Sequence, residues 1–141
     1  MASILVVDDE LMMLTLLRTI LIRLGHKVLM ASSGQEAVEL FRQDRPQITI
    51  LDLNLPDLNG IEVLKQIRGG DPKASVIILT GAGTEALEKQ ARELGVTDFL
   101  QKGFSLHGLG EALRRVMKQQ DQTAAPASSA QVGARGSSQR T

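Results

Sequence analysis

The chain of 141 residues has no cysteine, no tryptophan and no tyrosine, and only three phenylalanines and four prolines. The missing thiols exclude disulfides, thiolate metal sites and a cysteine nucleophile, and fit a reducing compartment. So few rings exclude an aromatic ligand cage and leave an aliphatic core, which suits parallel strands buried on both faces. Net charge is lacking too: sixteen basic residues cancel sixteen acidic ones, so the electrostatic footprint of a protein that holds nucleic acid directly is absent. Long hydrophobic runs are also missing. The N-terminus has no positive region ahead of its short apolar stretch, and the greasiest segment, 11–24, carries Arg18 and Arg23, so neither a signal peptide nor a membrane span is expected. The length suits one domain with a real core, and a soluble cytoplasmic protein is the expectation.

What is present is a repeating pattern. Apolar runs at 4–7, 27–31, 48–51, 76–79 and 96–100 are each followed by residues of helical period. Five βα units predict an α/β fold with right-handed crossovers and a parallel sheet covered on both faces. The punctuation agrees: Ser33 with Glu36 and Asn59 with Glu62 read as capping boxes, and Gly25 and Gly95 as helix stops. In the last helix Leu106, Leu109, Ala112, Leu113, Val116 and Met117 form one apolar face, with Gly108 and Gly110 weakening its first turns. From 119 to 141 the pattern stops; Gln, Ala, Ser and Gly with Pro126 and a single Val132 cannot bury enough surface to fold. The domain is therefore expected over 1–118 and a disordered tail or linker over 119–141.

Polar residues sit where three of the runs end: Asp8 and Asp9, Asp52, and Lys102. In a parallel sheet those ends share one edge, where ligands bind. Carboxylates about 5 Å apart repel by roughly 3–4 kcal/mol per pair at an effective dielectric near 20, so the cluster calls for a divalent cation. Phosphoryl chemistry on an aspartate, assisted by Mg²⁺, is the implied use.

Four segments carry a more specific signal: Ile4-Leu5-Val6-Val7-Asp8-Asp9-Glu10, Ile50-Leu51-Asp52-Leu53-Asn54-Leu55-Pro56-Asp57-Leu58-Asn59-Gly60, Ile78-Leu79-Thr80-Gly81 and Phe99-Leu100-Gln101-Lys102. In this order and at these spacings the chain resembles, over 2–118, the receiver domain of bacterial two-component response regulators. The resemblance implies a flavodoxin-like, doubly wound three-layer sandwich of five helices around a five-stranded sheet of order 2-1-3-4-5. It implies that Asp52 accepts a phosphoryl group from a sensor histidine kinase or histidine phosphotransfer protein. Mg²⁺ would be held by Asp9 and Asp52, by Asp8 mostly through water, and by the backbone carbonyl of Asn54. Lys102 and Thr80 would each place a donor on a phosphate oxygen, and Thr80 with Phe99 would form the switch. Asn54 and Ala82 would tune hydrolysis. Such a protein is a signalling switch, not an enzyme beyond its own phosphorylation and dephosphorylation. Its output would be docking of a downstream protein or pairing of phosphorylated copies, between which the residues do not choose.

Two departures stand out. Gly103 replaces the proline that receivers usually carry after the lysine and permits that loop's geometry without enforcing it. Phe99 has no hydroxyl, so packing alone is expected to set its orientation. In the first helix Met13, Leu16, Leu17, Ile20, Leu21 and Leu24 make a full inward stripe, leaving Leu11, Met12, Leu14 and Ile22 as an excess that would form a docking patch for a partner helix. His26 and His107 fall at no strand end and are read as surface residues. Three other readings are weaker. A haloacid-dehalogenase-type phosphatase needs Asp-x-Asp, which neither Asp8-Asp9 nor Asp52-Leu53-Asn54 supplies. An FMN binder would meet repulsion from Asp8, Asp9 and Glu10. A degenerate receiver, binding without phosphorylation, would not need the intact Asp8, Asp9, Asp52, Thr80 and Lys102 set.

Overall fold

A computed structural model describes residues 2–81 and 83–124, with side chains to 118. Strands and helices alternate: β1 (Ser3–Val7), α1 (Leu11–Arg23), β2 (Lys27–Ala31), α2 (Gly34–Asp44), β3 (Ile48–Asp52), α3 (Gly60–Gly70), β4 (Ser75–Thr80), α4 (Glu85–Glu93), β5 (Asp98–Gln101) and α5 (Leu106–Ala124). The strands form one sheet in the order β2-β1-β3-β4-β5, every pairing parallel. This is the expected architecture and strand order.

Alternation along the strands splits the core in two. Ile4 and Val6, Ile48 and Ile50, and Ile77 and Leu79 face α1 and α5, where they meet Leu14, Leu17, Leu21, Leu109, Ala112, Leu113 and Val116. Leu5 and Val7, Leu51, and Val76 and Ile78 face the opposite layer, against Val38, Phe41, Ile61, Leu64, Ile67 and Ala91 of α2, α3 and α4. Burial on both faces explains why these strands read as unbroken aliphatic runs.

The helix signals hold. Ser33 Oγ accepts the Glu36 N–H at 3.2 Å and Asn59 Oδ1 the Glu62 N–H at 3.0 Å, satisfying donors that helix starts leave unpaired. Gly25 and Gly95 have φ of 92° and 93°, the left-handed conformation that ends a helix at little cost for glycine. The Glu36 carboxylate, however, reaches back to the Ser32 N–H at 2.9 Å, not to Ser33.

Four expectations need correction. The inward stripe of α1 is Leu14, Leu17 and Leu21, with Met13 and Ile20 on its flank, whereas Leu16 and Leu24 are 48% and 51% exposed. Apolar residues are so dense in this helix that two stripes satisfy the period, and packing on β1 and β2 selects the one starting at Leu14, which therefore leaves the proposed patch. Leu106 belongs to the exposed surface and not to the buried face of α5. Val96 precedes β5: its N–H donates to the Ala91 carbonyl at 3.1 Å and closes the end of α4. Helix α5 continues to Ala124, past the last apolar turn; Gln and Ala are good helix formers, and a packed helix extends through them. Of the expected tail, 125–141 lie outside the described residues, as does Ala82. Among the described residues no helix is long and apolar enough to cross a membrane.

His26 is half-buried, and its Nδ1 accepts the Ala2 N–H at 3.0 Å, tying β1 to the α1–β2 turn.

On β3, Thr49 is 1% exposed and its hydroxyl has no hydrogen-bond partner. A buried unpaired hydroxyl costs free energy that an apolar group of the same shape does not. Thr49→Val is expected to stabilise the fold by about 1 kcal/mol, read as a raised urea midpoint at unchanged slope.

Candidate functional site

The parallel register builds the site. Val7 pairs with Leu51, Asp52 with Leu79, and Thr80 with Gln101, so Asp8, Asp52, Thr80 and Lys102 leave the same edge of the sheet side by side. The chain is held there by backbone bonds from Asp8 N to the Ala31 carbonyl at 3.1 Å and from Lys102 N to the Thr80 carbonyl at 2.9 Å. Helix α3 begins against the loop that follows Asp52. Gly60 N donates to the Leu53 carbonyl at 2.8 Å, and a Cβ on Gly60 would lie 2.5 Å from Leu53 Cα and 2.7 Å from the Asp52 carbonyl oxygen. Only glycine allows that approach.

Asp8 and Asp52 are buried, at 0% and 2% exposure, and Asp9 is exposed. Each of the three offers a carboxylate oxygen, all within 4.8 Å of one another. The Lys102 ammonium joins them, with Nζ 2.7 Å from Glu10 Oε1, 3.0 Å from Asp52 Oδ2 and 3.2 Å from Asp8 Oδ2. Asp8 Oδ1 accepts the Glu10 N–H at 2.9 Å and Asp52 Oδ1 the Asn54 N–H at 3.1 Å. Asp8 Oδ2 is buried and, apart from its ionic contact with the Lys102 ammonium, accepts no hydrogen bond. Three carboxylates with a single ammonium among them are a set of hard oxygen donors that a divalent cation fits.

Burial pushes the Asp8 carboxyl up to about 6, with the Asp52 charge adding to the rise and the Glu10 N–H and Lys102 opposing it. For Lys102, burial works against the charge, but hydrogen bonds to Glu10 and Asp52 and the attraction of Asp52 and Asp8 outweigh it, so its pKa is raised. The ammonium stays charged at any working pH.

The expected residues Asp8, Asp9, Asp52 and Lys102 are thus brought together. Thr80, also buried, lines an open cleft with Lys102, Gly81, Glu85 and Glu88. Asn54 stands at the rim, its N–H on Asp52. Phe99 is half-buried against the α2–α4 layer, but packing alone does not orient it: the Arg92 guanidinium stacks over the ring at 4.5 Å from its centroid. Arg92 lies 3.9 Å from Glu88, which accepts from Thr84 Oγ1 at 2.8 Å. Among the described residues every peptide is trans, that of Lys102–Gly103 included. Of the first-helix patch, Leu11 and Met12 at the N-terminal turn are 75% and 87% exposed and Ile22 is 45% exposed.

Besides Arg92, two contributions escaped the sequence reading. Glu10 makes the shortest contact to Lys102; a third acid directly after Asp8 and Asp9 was the available signal. Asp57 accepts the Gly34 and Gln35 N–H groups at 2.8 and 3.0 Å, fastening the loop after Asp52 to the start of α2. These bonds lower its pKa; nothing local in the sequence announces a cap for a helix so distant along the chain.

Residues 4–114 match the model of the response regulator receiver domain, and the chain belongs to that family. It is 35% identical over 116 residues to the chemotaxis protein CheY of Thermotoga maritima, covering 82% of this chain and 97% of that protein. It is 37% identical over 126 residues to the alkaline phosphatase synthesis transcriptional regulatory protein PhoP of Bacillus subtilis, covering 89% of this chain but 52% of the regulator. The chain thus spans nearly all of the first and about half of the second. A crystal structure of a response regulator receiver domain protein from Clostridium thermocellum superposes with a TM-score of 0.83 at 30% identity, over 87% of this chain and 99% of that one.

The raised carboxyl of Asp8 makes a pH prediction. The unfolded residue titrates near 3.8 and the folded one near 6, so the folded state gains a proton as pH falls between those values and is stabilised, while above about 6 it carries a penalised charge. In chelator, Asp8→Asn is therefore expected to raise the urea midpoint at pH 7.5, and the advantage is expected to shrink as pH falls through about 6.

Proposed function

We propose that the chain is a phosphoacceptor switch of a two-component or phosphorelay pathway, with Asp52 taking a phosphoryl group from a phosphohistidine of a sensor kinase or phosphotransfer protein. The observation that carries this is the Asp52 carboxylate, 2% exposed, 3.0 Å from Lys102 Nζ and sharing a 4.8 Å oxygen cluster with Asp8 and Asp9.

A carboxylate oxygen of Asp52 attacks phosphorus in line. The phosphorus–nitrogen bond of the donor breaks, its electron pair stays on the imidazole, and an acyl phosphate forms. Asp8, Asp9, Asp52 and the Asn54 carbonyl would hold Mg²⁺, which when bound neutralises charge on both reactants. The chain's own residues do the rest. The Asn54 N–H fixes the rotamer of Asp52 through Oδ1. Lys102 moves its N–H donors from carboxylates to the oxygens of the arriving group, and the Thr80 hydroxyl takes another, both strengthening as charge shifts onto Asp52. Thr80 draws the β4–α4 loop with it, and the Thr84, Glu88, Arg92 and Phe99 chain of contacts carries that displacement along α4 to the aromatic. The chain would catalyse only the gain and loss of its own phosphate and signal by the changed surface.

Leu11 and Met12, exposed one turn from the acids, suit the apolar side of a helical donor. Leu14 does not take part, because it is buried.

Supplied with Mg²⁺ and a small acyl phosphate, the chain is expected to gain one phosphate, stable to brief acid and released by base, and Asp52→Asn to gain none. Intact-mass analysis decides it; equal labelling of the variant would move the acceptor elsewhere. Replacing Leu11 and Met12 by serine is expected to slow transfer from a cognate histidine donor by about tenfold, as loss of interface anchors does, and to leave the rate with the small donor unchanged, measured by quenched time courses.

A further inference from the structure

Lys102 holds three carboxylates at once, and they are not equivalent. Asp8 and Asp52 belong to the oxygen cluster suited to a cation, while Glu10 lies outside it. A divalent ion held by those oxygens would compete with the ammonium for Asp8 and Asp52 and leave Glu10 alone, so the shortest contact, 2.7 Å, is the one it would disturb least. Glu10 is also well placed to keep it. Its N–H is pinned to Asp8 Oδ1 at 2.9 Å and its carbonyl accepts the Leu14 N–H at 3.1 Å, so the backbone that carries the side chain is fixed. The Glu10 side chain is 60% exposed, so packing holds the carboxylate only weakly. The ammonium is what holds it.

We propose that Glu10 is a positioning residue for phosphoryl transfer: it keeps Lys102 Nζ toward the solvent side of the site and must release it before the ammonium can bind the incoming phosphate. This rests on the reading of Asp52 as the acceptor. Bond making and breaking at phosphorus are unchanged; Glu10 sets how readily Lys102 exchanges a carboxylate for a phosphate oxygen, each a charge-assisted partner of similar strength.

The test uses the full chain with Mg²⁺ and acetyl phosphate. Glu10→Gln is expected to gain phosphate about 2- to 5-fold faster, the size of effect that a partly exposed ion pair supports. Removing a negative charge would also ease the approach of an anionic donor, so Glu10→Asp separates the two causes. It keeps the charge but is one methylene short of Lys102, and it is expected to be as fast as Glu10→Gln. A wild-type rate in Glu10→Asp with acceleration in Glu10→Gln would leave simple repulsion as the cause and overturn the proposal, and so would an unchanged or slower Glu10→Gln. A second readout needs no donor: the Lys102 side-chain resonances are expected to shift in both variants and to stay in place in Glu39→Gln on α2, and no shift in the Glu10 variants overturns the contact itself. If the parent chain gains no phosphate, the Asp52 reading fails and this proposal with it, an outcome distinct from equal rates in parent and variant.

Discussion

Like charges crowded at the ends of buried strands are the constraint on which the rest of this structure depends. Asp8 and Asp52 are taken almost wholly out of water, within a few ångströms of each other and of Asp9, where their repulsion is strengthened by the lowered dielectric. One ammonium answers them. Lys102 is shared among three carboxylates, and a single positive charge cannot balance that many negative ones. The strain appears in Asp8, whose carboxyl is driven up to about 6 by burial and, to a lesser degree, by the Asp52 charge. An acidic site short of positive charge stabilises whatever supplies it, be it a proton, a cation or a redistribution of the lysine.

The fold holds this unfavourable arrangement in place by making movement expensive elsewhere. Aliphatic side chains on both faces of the sheet fix the strand register, and the register alone sets which residues share the edge. Around Asp52 the backbone is clamped twice. Gly60 brings α3 into contact with the Asp52 carbonyl, and Asp57 anchors the intervening loop to the start of α2. The carboxylate can change partners while its main chain stays still, which suits a group whose neighbours must rearrange around it.

Much of this was legible in the sequence, because the features concerned are local. The five aliphatic runs and their turn residues fixed the βα alternation, and charged residues at the run ends marked the shared edge. What was not legible depends on packing between distant segments. The stripe of α1 could not be chosen while two sets of apolar residues satisfied the same period; only contact with β1 and β2 selects Leu14 over Leu16. The exposure of Leu106 and the late start of β5 follow from where the sheet ends, not from residue type. Glu10, Asp57 and Arg92 act on Lys102, Gly34 and Phe99, partners that no short-range pattern connects to them. The residues that gather at the strand ends are therefore legible as a list, whereas the distant partners that hold them are not.

The guanidinium stacked on Phe99 has a consequence of its own. A tyrosine at that position could be anchored by its hydroxyl; a phenylalanine offers only the face of its ring, and the cation over it contributes about 0.5–1 kcal/mol at an exposed position. That is a modest restraint on the ring, supplied by one arginine on α4 and weakened by dissolved salt. The restraint on the ring thus comes from an arginine on α4 and not from the ion pairs that join Asp8, Asp52 and Lys102, so the two sets of contacts can vary separately as sequences drift.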